Sequence, residues 1–218
     1  MTDMFNKPKA FSETPEEREF ELRAQIGSTW TGGRLFIGMY TFFLASLAFS
    51  YFYLRSANNG LLWRPRGVTA PTAFGWAIYG LVLLMAMLAI FGQGRLRKGG
   101  VTDWQVAGWT AVAGGIVAVM LQIWELTSVS FSAGSSGYAS TFIGWCVMNI
   151  GTLLISTYWL ETTLARSLRM RKESPGSAPE LAATSSARMF RANVASMTYF
   201  LGFVALSSTL FFAMFYLL

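Results

Sequence analysis

Five long apolar segments constrain this 218-residue chain more than any other feature. They cover approximately residues 34–54, 72–91, 104–124, 140–160 and 193–217. Each is close to the roughly 20 residues that an α-helix needs to cross about 30 Å of hydrocarbon. Because lipid offers no partner for backbone N–H and C=O groups, each segment must be helical. The sequence therefore predicts an all-α, polytopic membrane helix bundle with five transmembrane helices.

The composition favours a membrane protein over a soluble one. Hydrophobic residues make up 53% of the chain and charged residues 13%, about half the usual charged fraction. A net charge of +6 would point to nucleic acid in a soluble protein. Here the basic residues lie between apolar segments, where they orient helices and contact anionic lipid headgroups. We expect membrane lipids as partners, and no nucleic acid.

The distribution of basic residues predicts the orientation in the membrane. Of the 17 Lys and Arg residues, only Arg55, Arg64 and Arg66 lie on one side, and the other 14 lie on the side of the N-terminus. The positive-inside rule then puts the N-terminus in the cytoplasm and the C-terminus outside. We expect residues 1–33 to form a cytoplasmic N-terminal arm and residues 34–218 the transmembrane domain. A flexible, basic cytoplasmic loop is expected at 166–191, where Ser, Pro and Gly cluster.

The arm contains the start of a helix. The pattern Ser12-x-x-Pro15-Glu16-Glu17 is typical of a capped helix with acids in its first turn. Two interpretations are open: a surface helix in a partly ordered tail, or a docking arm for a partner subunit.

Few residues in the chain could hold a metal. Histidine is absent and Cys146 is the only cysteine, so the usual ligands of haem, copper, zinc and iron–sulfur clusters are missing. We expect no cofactor bound by this chain and no catalytic residues of its own.

Glu125 is the most informative polar residue. It lies at the predicted outer end of the third helix, one turn after Gln122, and a carboxylate close to hydrocarbon is costly. It could accept hydrogen bonds from backbone N–H groups of the Gly/Ser loop that follows. It could instead pair with one of the three arginines on the same face. A catalytic acid is the least favoured role, because no second titratable group or nucleophile stands nearby in sequence.

Other helix residues predict contacts between helices. Asn149 and Thr152 are three residues apart, so they share a face of the fourth helix and are expected to form interhelical hydrogen bonds. Small residues that permit close helix approach, within this chain or with a partner, recur in the third helix and in the first: Gly108, Gly114, Gly115 and Ala118, and Ala45, Ala48 and Ser50. Trp63, Trp104, Trp124 and Tyr138 fall at helix ends, as expected of residues at the membrane interface.

Four motifs, in order, resemble subunit III of the haem-copper terminal oxidases (cytochrome c oxidase), in its five-helix form. Residues 51–55, Tyr-Phe-Tyr-Leu-Arg, are similar to the family's exit from its opening helix, and Trp63-Arg64-Pro65 resembles the Trp-Pro that follows. Residues 122–125 are similar to the family's Gln-x-x-Glu, and residues 138–142 to its Tyr-Gly-Ser-x-Phe.

The chain also departs from the family pattern. The family's membrane-embedded glutamate falls on Tyr40, and its pair of histidines falls on Asn149 and Thr152. The resemblance therefore implies packing roles at these positions rather than protonation. The structural or interface candidates are Gln122, Glu125, Tyr138, Asn149, Thr152, Arg55 and Tyr40.

The resemblance implies a non-catalytic subunit in the plasma membrane of a prokaryote, working in aerobic respiration. Its partners would be the catalytic subunit I and the other oxidase subunits, which would hold the haem and copper. The chain would stabilise that subunit, bind phospholipid and line a lipid or oxygen route. Two alternatives are open: a subunit-III-like accessory protein of a nitric oxide reductase, or a free-standing membrane scaffold or transporter.

Overall fold

The computed structural model describes residues 14–58, 60–173 and 185–218, and within these ranges the protein is a bundle of helices. Five helices are long and apolar enough to cross a membrane: α1 (Pro15–Ala57), α2 (Thr72–Arg97), α3 (Val101–Ser128), α4 (Gly137–Glu173) and α5 (Ser185–Phe212). A π-helical turn, Ala213–Leu217, continues α5 to the end of the chain. The predicted fold class, an all-α bundle with five membrane-length helices, is confirmed.

The first helix is much longer than its apolar segment. It begins at Pro15, because the Thr14 side chain accepts from the backbone N–H of Glu17 and the Glu17 carboxylate accepts from that of Thr14. No proline follows until the helix has ended at Ala57. The helix start predicted within the arm is therefore confirmed at Pro15, and residues 15–33 are continuous with the rest of α1. The cytoplasmic placement of the arm stays a prediction. Residues 1–13 lie outside the described part of the chain.

The predicted loop at 166–191 is also largely helical. Residues 166–173 belong to α4 and residues 185–191 to α5. Both helices continue past their apolar segments because the basic residues there are good helix formers and no proline intervenes. The rest of the expected loop, residues 174–184, lies outside the described residues.

Helix α3 approaches its neighbours most closely through glycine. A Cβ added at Gly108 would meet Leu164 of α4, and one added at Gly115 would meet Thr157, also of α4. Ala118 is buried as well, so the predicted small-residue face of α3 is confirmed at these three positions. In α1, Ala45 is exposed, so its predicted helix contact would be with a partner, and this part of the prediction is untested.

The core forms mainly between α2, α3, α4 and α5. Trp104, predicted to lie at the membrane interface, is instead buried at 1% exposure and packs edge-on against Phe190 with ring centroids 5.4 Å apart. Helix α1 is the least buried of the five and packs mainly against α4 and α5. Its outward surface carries large apolar side chains: Leu35, Met39, Phe42, Phe43, Phe49, Phe52 and Tyr53.

Candidate functional site

The carboxylate of Glu125 is fully buried near the C-terminal end of α3. Its Oε1 accepts a hydrogen bond from the Tyr216 hydroxyl at 2.6 Å, and its Oε2 accepts one from Gln122 Nε2 at 2.5 Å. Both roles considered for Glu125 from the sequence are wrong. Its partners are side chains rather than loop backbone, and no ion pair among the described residues includes it.

The hydrogen bonding continues into α4. The Asn149 Nδ2 donates to Gln122 Oε1 at 2.7 Å, and Gln122 Nε2 also lies 3.3 Å from the Sγ of the buried Cys146. We call Glu125, Gln122, Asn149 and Tyr216 the polar network. It joins α3, α4 and the final π-helical turn, and both carboxylate oxygens are satisfied without a cation. Buried polar groups connected in this way hold helices in one arrangement.

Tyr216 reaches Glu125 because α2 leaves room for its ring. A Cβ at Gly75 would collide with ring carbons of Tyr216. On its other side the ring stacks on Phe212, with centroids 5.3 Å apart, and meets the edge of Phe142 at 5.9 Å. Sequence reasoning missed Tyr216. The one local signal is its position four residues after Phe212, which favours contact between the two rings. No sequence pattern predicts the π-helical turn that orients the Tyr216 side chain.

A second polar contact joins α1 to α4. The hydroxyls of Tyr40 and Thr152 are hydrogen-bonded, and Thr152 also donates to the Met148 carbonyl at 2.8 Å. The Tyr40 ring is packed edge-on against Phe200 and Phe203. Asn149 and Thr152 thus both make the interhelical hydrogen bonds that their spacing predicts.

Phenol groups cap the carbonyls at the end of the chain. The Tyr138 hydroxyl donates to the Phe215 carbonyl at 2.8 Å, and the Tyr51 hydroxyl donates to the Met214 carbonyl at 2.7 Å. Trp63 lies between the two tyrosine rings, at 5.0 Å from Tyr51 and 6.0 Å from Tyr138. Last-turn carbonyls have no partner within a helix, so these phenols supply one. Trp63 and Tyr138 are both buried, so their rings pack against protein; their place at the membrane interface stays a prediction.

Two of the three arginines at this end are held on that aromatic cluster. The Arg64 guanidinium lies 4.5 Å from the centroid of the Tyr138 ring, and Arg55 Nη1 donates to the Tyr51 hydroxyl at 3.3 Å. Arg55 contacts Tyr51, and Trp63 packs between Tyr51 and Tyr138, so Arg55 and Tyr138 belong to one aromatic cluster. Glu125 is bonded to Tyr216 and Gln122 instead.

The opposite end of the bundle is tied by an ion pair. Arg188 at the start of α5 donates two hydrogen bonds to Glu19 of α1, at 2.7 and 3.0 Å, and Arg23 Nε donates to Glu19 at 3.0 Å. Glu19 precedes the apolar part of α1. Hydrogen bonding to Arg188, and then to Arg23, lowers the pKa of Glu19 to about 2.

The candidate residues form contacts within the bundle. Among the described residues, no group of three or more His, Cys, Asp or Glu side chains could hold a metal ion. Gln122, Glu125 and Asn149 meet in one network, Tyr40 meets Thr152, and Arg55 and Tyr138 meet at the aromatic cluster. Each of these contacts joins different helices or holds the end of the chain.

Compared with known proteins, the chain matches no family model and no curated protein.

Proposed function

We propose that this chain is a non-catalytic, subunit-III-like component of a haem-copper terminal oxidase complex. The observation that carries the proposal is that the polar residues of the resemblance are used in contacts between helices. Gln122 and Glu125 are hydrogen-bonded to Asn149 and Tyr216. Residues committed in this way can stabilise a membrane bundle.

The positions at which the sequence departs from the family also support a structural role. Tyr40 stands where the family has its membrane glutamate, and Thr152 stands at one of its histidine positions. In this chain the two are hydrogen-bonded to each other. A pair of neutral hydroxyls keeps α1 on α4 without placing a charge in hydrocarbon.

A supporting subunit also needs a surface for its neighbour. Helix α1 offers the surface least covered by this chain, with aromatic side chains such as Phe42 and Phe49 more than two-thirds exposed. We assign this face to the catalytic subunit, in keeping with the resemblance of α1 to the family's opening helix. That subunit would hold the haem and copper, and phospholipid would fill the remaining apolar surface.

The proposed setting is the plasma membrane of a prokaryote, with the N-terminus in the cytoplasm. The membrane is inferred from the resemblance. The orientation is inferred from the 14 basic residues on the N-terminal side, against Arg55, Arg64 and Arg66 on the other.

Purification of the tagged chain in mild detergent tests the proposal. A haem-containing polypeptide should co-elute, and the particle should consume dioxygen when given a reductant. The double variant Phe42→Ala/Phe49→Ala should lose most of the co-purified haem. Its matched control, Ile90→Ala/Phe91→Ala, removes exposed apolar side chains from α2 and should retain it. A haem-free particle, or equal loss in both variants, would contradict the proposal.

The same preparation distinguishes the second candidate, an accessory protein of a nitric oxide reductase. The observation that favours it is the replacement of both family histidines, by Asn149 and Thr152, which fits a changed partner. A haem-containing particle that reduces nitric oxide and leaves dioxygen unused would select this alternative.

A further inference from the structure

A small cavity lies beside the polar network, between α2, α4 and α5. Its wall includes Ile78 and Val82 of α2, Gln122 of α3, Asn149 of α4 and Ser208 of α5. Tyr79, Phe212 and Tyr216 also line it, with the rings of Tyr79 and Phe212 stacked 4.7 Å apart.

The polar side chains of the cavity are deeply buried. Gln122 is 1% exposed, Asn149 3% and Ser208 5%. The hydroxyl of Ser208 makes no hydrogen bond to any described residue. Leaving a buried hydroxyl without a partner is destabilising, so such groups usually bind ordered water.

The size of the cavity limits what it can hold. About 20 Å³ is open to the centre of a water-sized sphere, which is room for about one water molecule. Cavities that stay dry are lined by apolar groups, whereas a buried water needs two to four polar partners. Such polar partners are available among the residues that line the cavity: Ser208, Asn149, Gln122 and Tyr216.

We propose that this cavity is a hydration site, in which one ordered water is hydrogen-bonded to Ser208 and to the polar network through Asn149 or Gln122. The water connects α5 to the side chains that hold Glu125. The network then joins the C-terminal end of α5 at Ser208, as well as the π-helical turn at Tyr216, to α3 and α4. This site does not depend on which partner the chain has.

The Ser208→Ala variant tests the proposal, because a bound water and a dry cavity predict different changes in the thermal unfolding midpoint. If the water is present, Ser208→Ala removes one of its hydrogen bonds, and the thermal unfolding midpoint in detergent should fall by about 2–4 °C. If the cavity is dry, the same change removes an unsatisfied hydroxyl, and the midpoint should rise or stay unchanged.

Thr157 provides the matched control. Its Oγ1 is also buried without a hydrogen-bond partner among the described residues, and it does not line the cavity. Thr157→Val keeps the side-chain shape, so it should leave the midpoint unchanged or raise it. The proposal is overturned if Ser208→Ala behaves like Thr157→Val. It is also overturned if an experimental map that resolves ordered waters shows no density within 3.5 Å of Ser208 Oγ.

Discussion

The hydroxyl of Tyr216 donates to the carboxylate of Glu125 at 2.6 Å, joining the last turn of the chain to the buried end of α3. Glu125 has no cation beside it in the part of the chain that the structure describes. Its carboxyl group is therefore stabilised by hydrogen bonds from the side chains of Tyr216 and Gln122. The arrangement explains how a carboxylate can lie inside an apolar bundle, since both of its oxygens are hydrogen-bonded.

Tyr216→Phe should destabilise the bundle. The change keeps the ring packing against Phe212 but leaves one oxygen of Glu125 without its donor. We expect a loss of about 1–3 kcal/mol in the free energy of unfolding, measured as a lower thermal midpoint in detergent. Tyr158→Phe removes an exposed hydroxyl and should have almost no effect. Equal midpoints for the two variants would show that the Tyr216 hydrogen bond is not stabilising.

Gly75→Ala should disturb the same site from the side of α2. The added methyl group would occupy the space of the Tyr216 ring, whose hydroxyl is fixed by Glu125. Overpacking of this kind costs about 1–3 kcal/mol. Gly80→Ala is the matched control on the same helix, since nothing lies within 4 Å of its added Cβ.

The thermal midpoint should fall in Gly75→Ala, and it should stay unchanged or rise in Gly80→Ala. Alanine is favoured over glycine within a helix by roughly 1 kcal/mol, so Gly80→Ala should be neutral or stabilising. A thermal midpoint that rises equally in both variants would mean that the Tyr216 ring moves freely and that Gly75 does not position it.

The ion pair between Glu19 and Arg188 predicts a dependence on pH. The pKa of Glu19 is lowered from 4.5 to about 2, so the pair stabilises the folded protein above about pH 4.5. That contribution is lost as the pH falls through about 2. Glu19→Gln should therefore lower the thermal midpoint at pH 6, by a small amount because the pair is solvent-exposed.

The difference between wild type and Glu19→Gln should narrow as the pH falls from 4.5 to 2. Glu21→Gln, on an exposed face of the same helix, controls for the loss of a negative charge. A difference that is constant from pH 6 to pH 2 would contradict the role given to this pair.

The sequence predicted the fold because hydrophobic length determines it. The first four apolar segments each lie inside an α-helix, and the fifth spans α5 and its π-helical turn. A helix satisfies its backbone hydrogen bonds within one segment, where lipid offers no partner. The ends were less predictable, since apolar length marks the part in hydrocarbon and not the end of the helix. Thr14 and Glu17 start α1 well before the apolar residues begin, and α4 continues to Glu173.

The candidate site was predicted in part. Helical spacing was enough to place Asn149 and Thr152 at helix contacts, because residues three apart share a face. The partner of Glu125 was not predictable. Tyr216 lies 91 residues away in sequence, and it is aimed by a π-helical turn and by the space at Gly75. Both depend on tertiary packing, which local patterns do not contain.

The most direct test of the central claim is the Glu125→Gln variant of the complex, measured as yield of assembled complex and as turnover per haem. The change keeps the shape of the side chain but replaces one carboxylate oxygen, an acceptor, with an NH₂ group, a donor. If that group faces Gln122 Nε2, two donors meet and the hydrogen bond is lost. If the polar network supports a catalytic neighbour, the yield should fall severalfold while turnover per haem stays close to wild type. A complex that assembles in full yield and has lost its turnover would contradict the account.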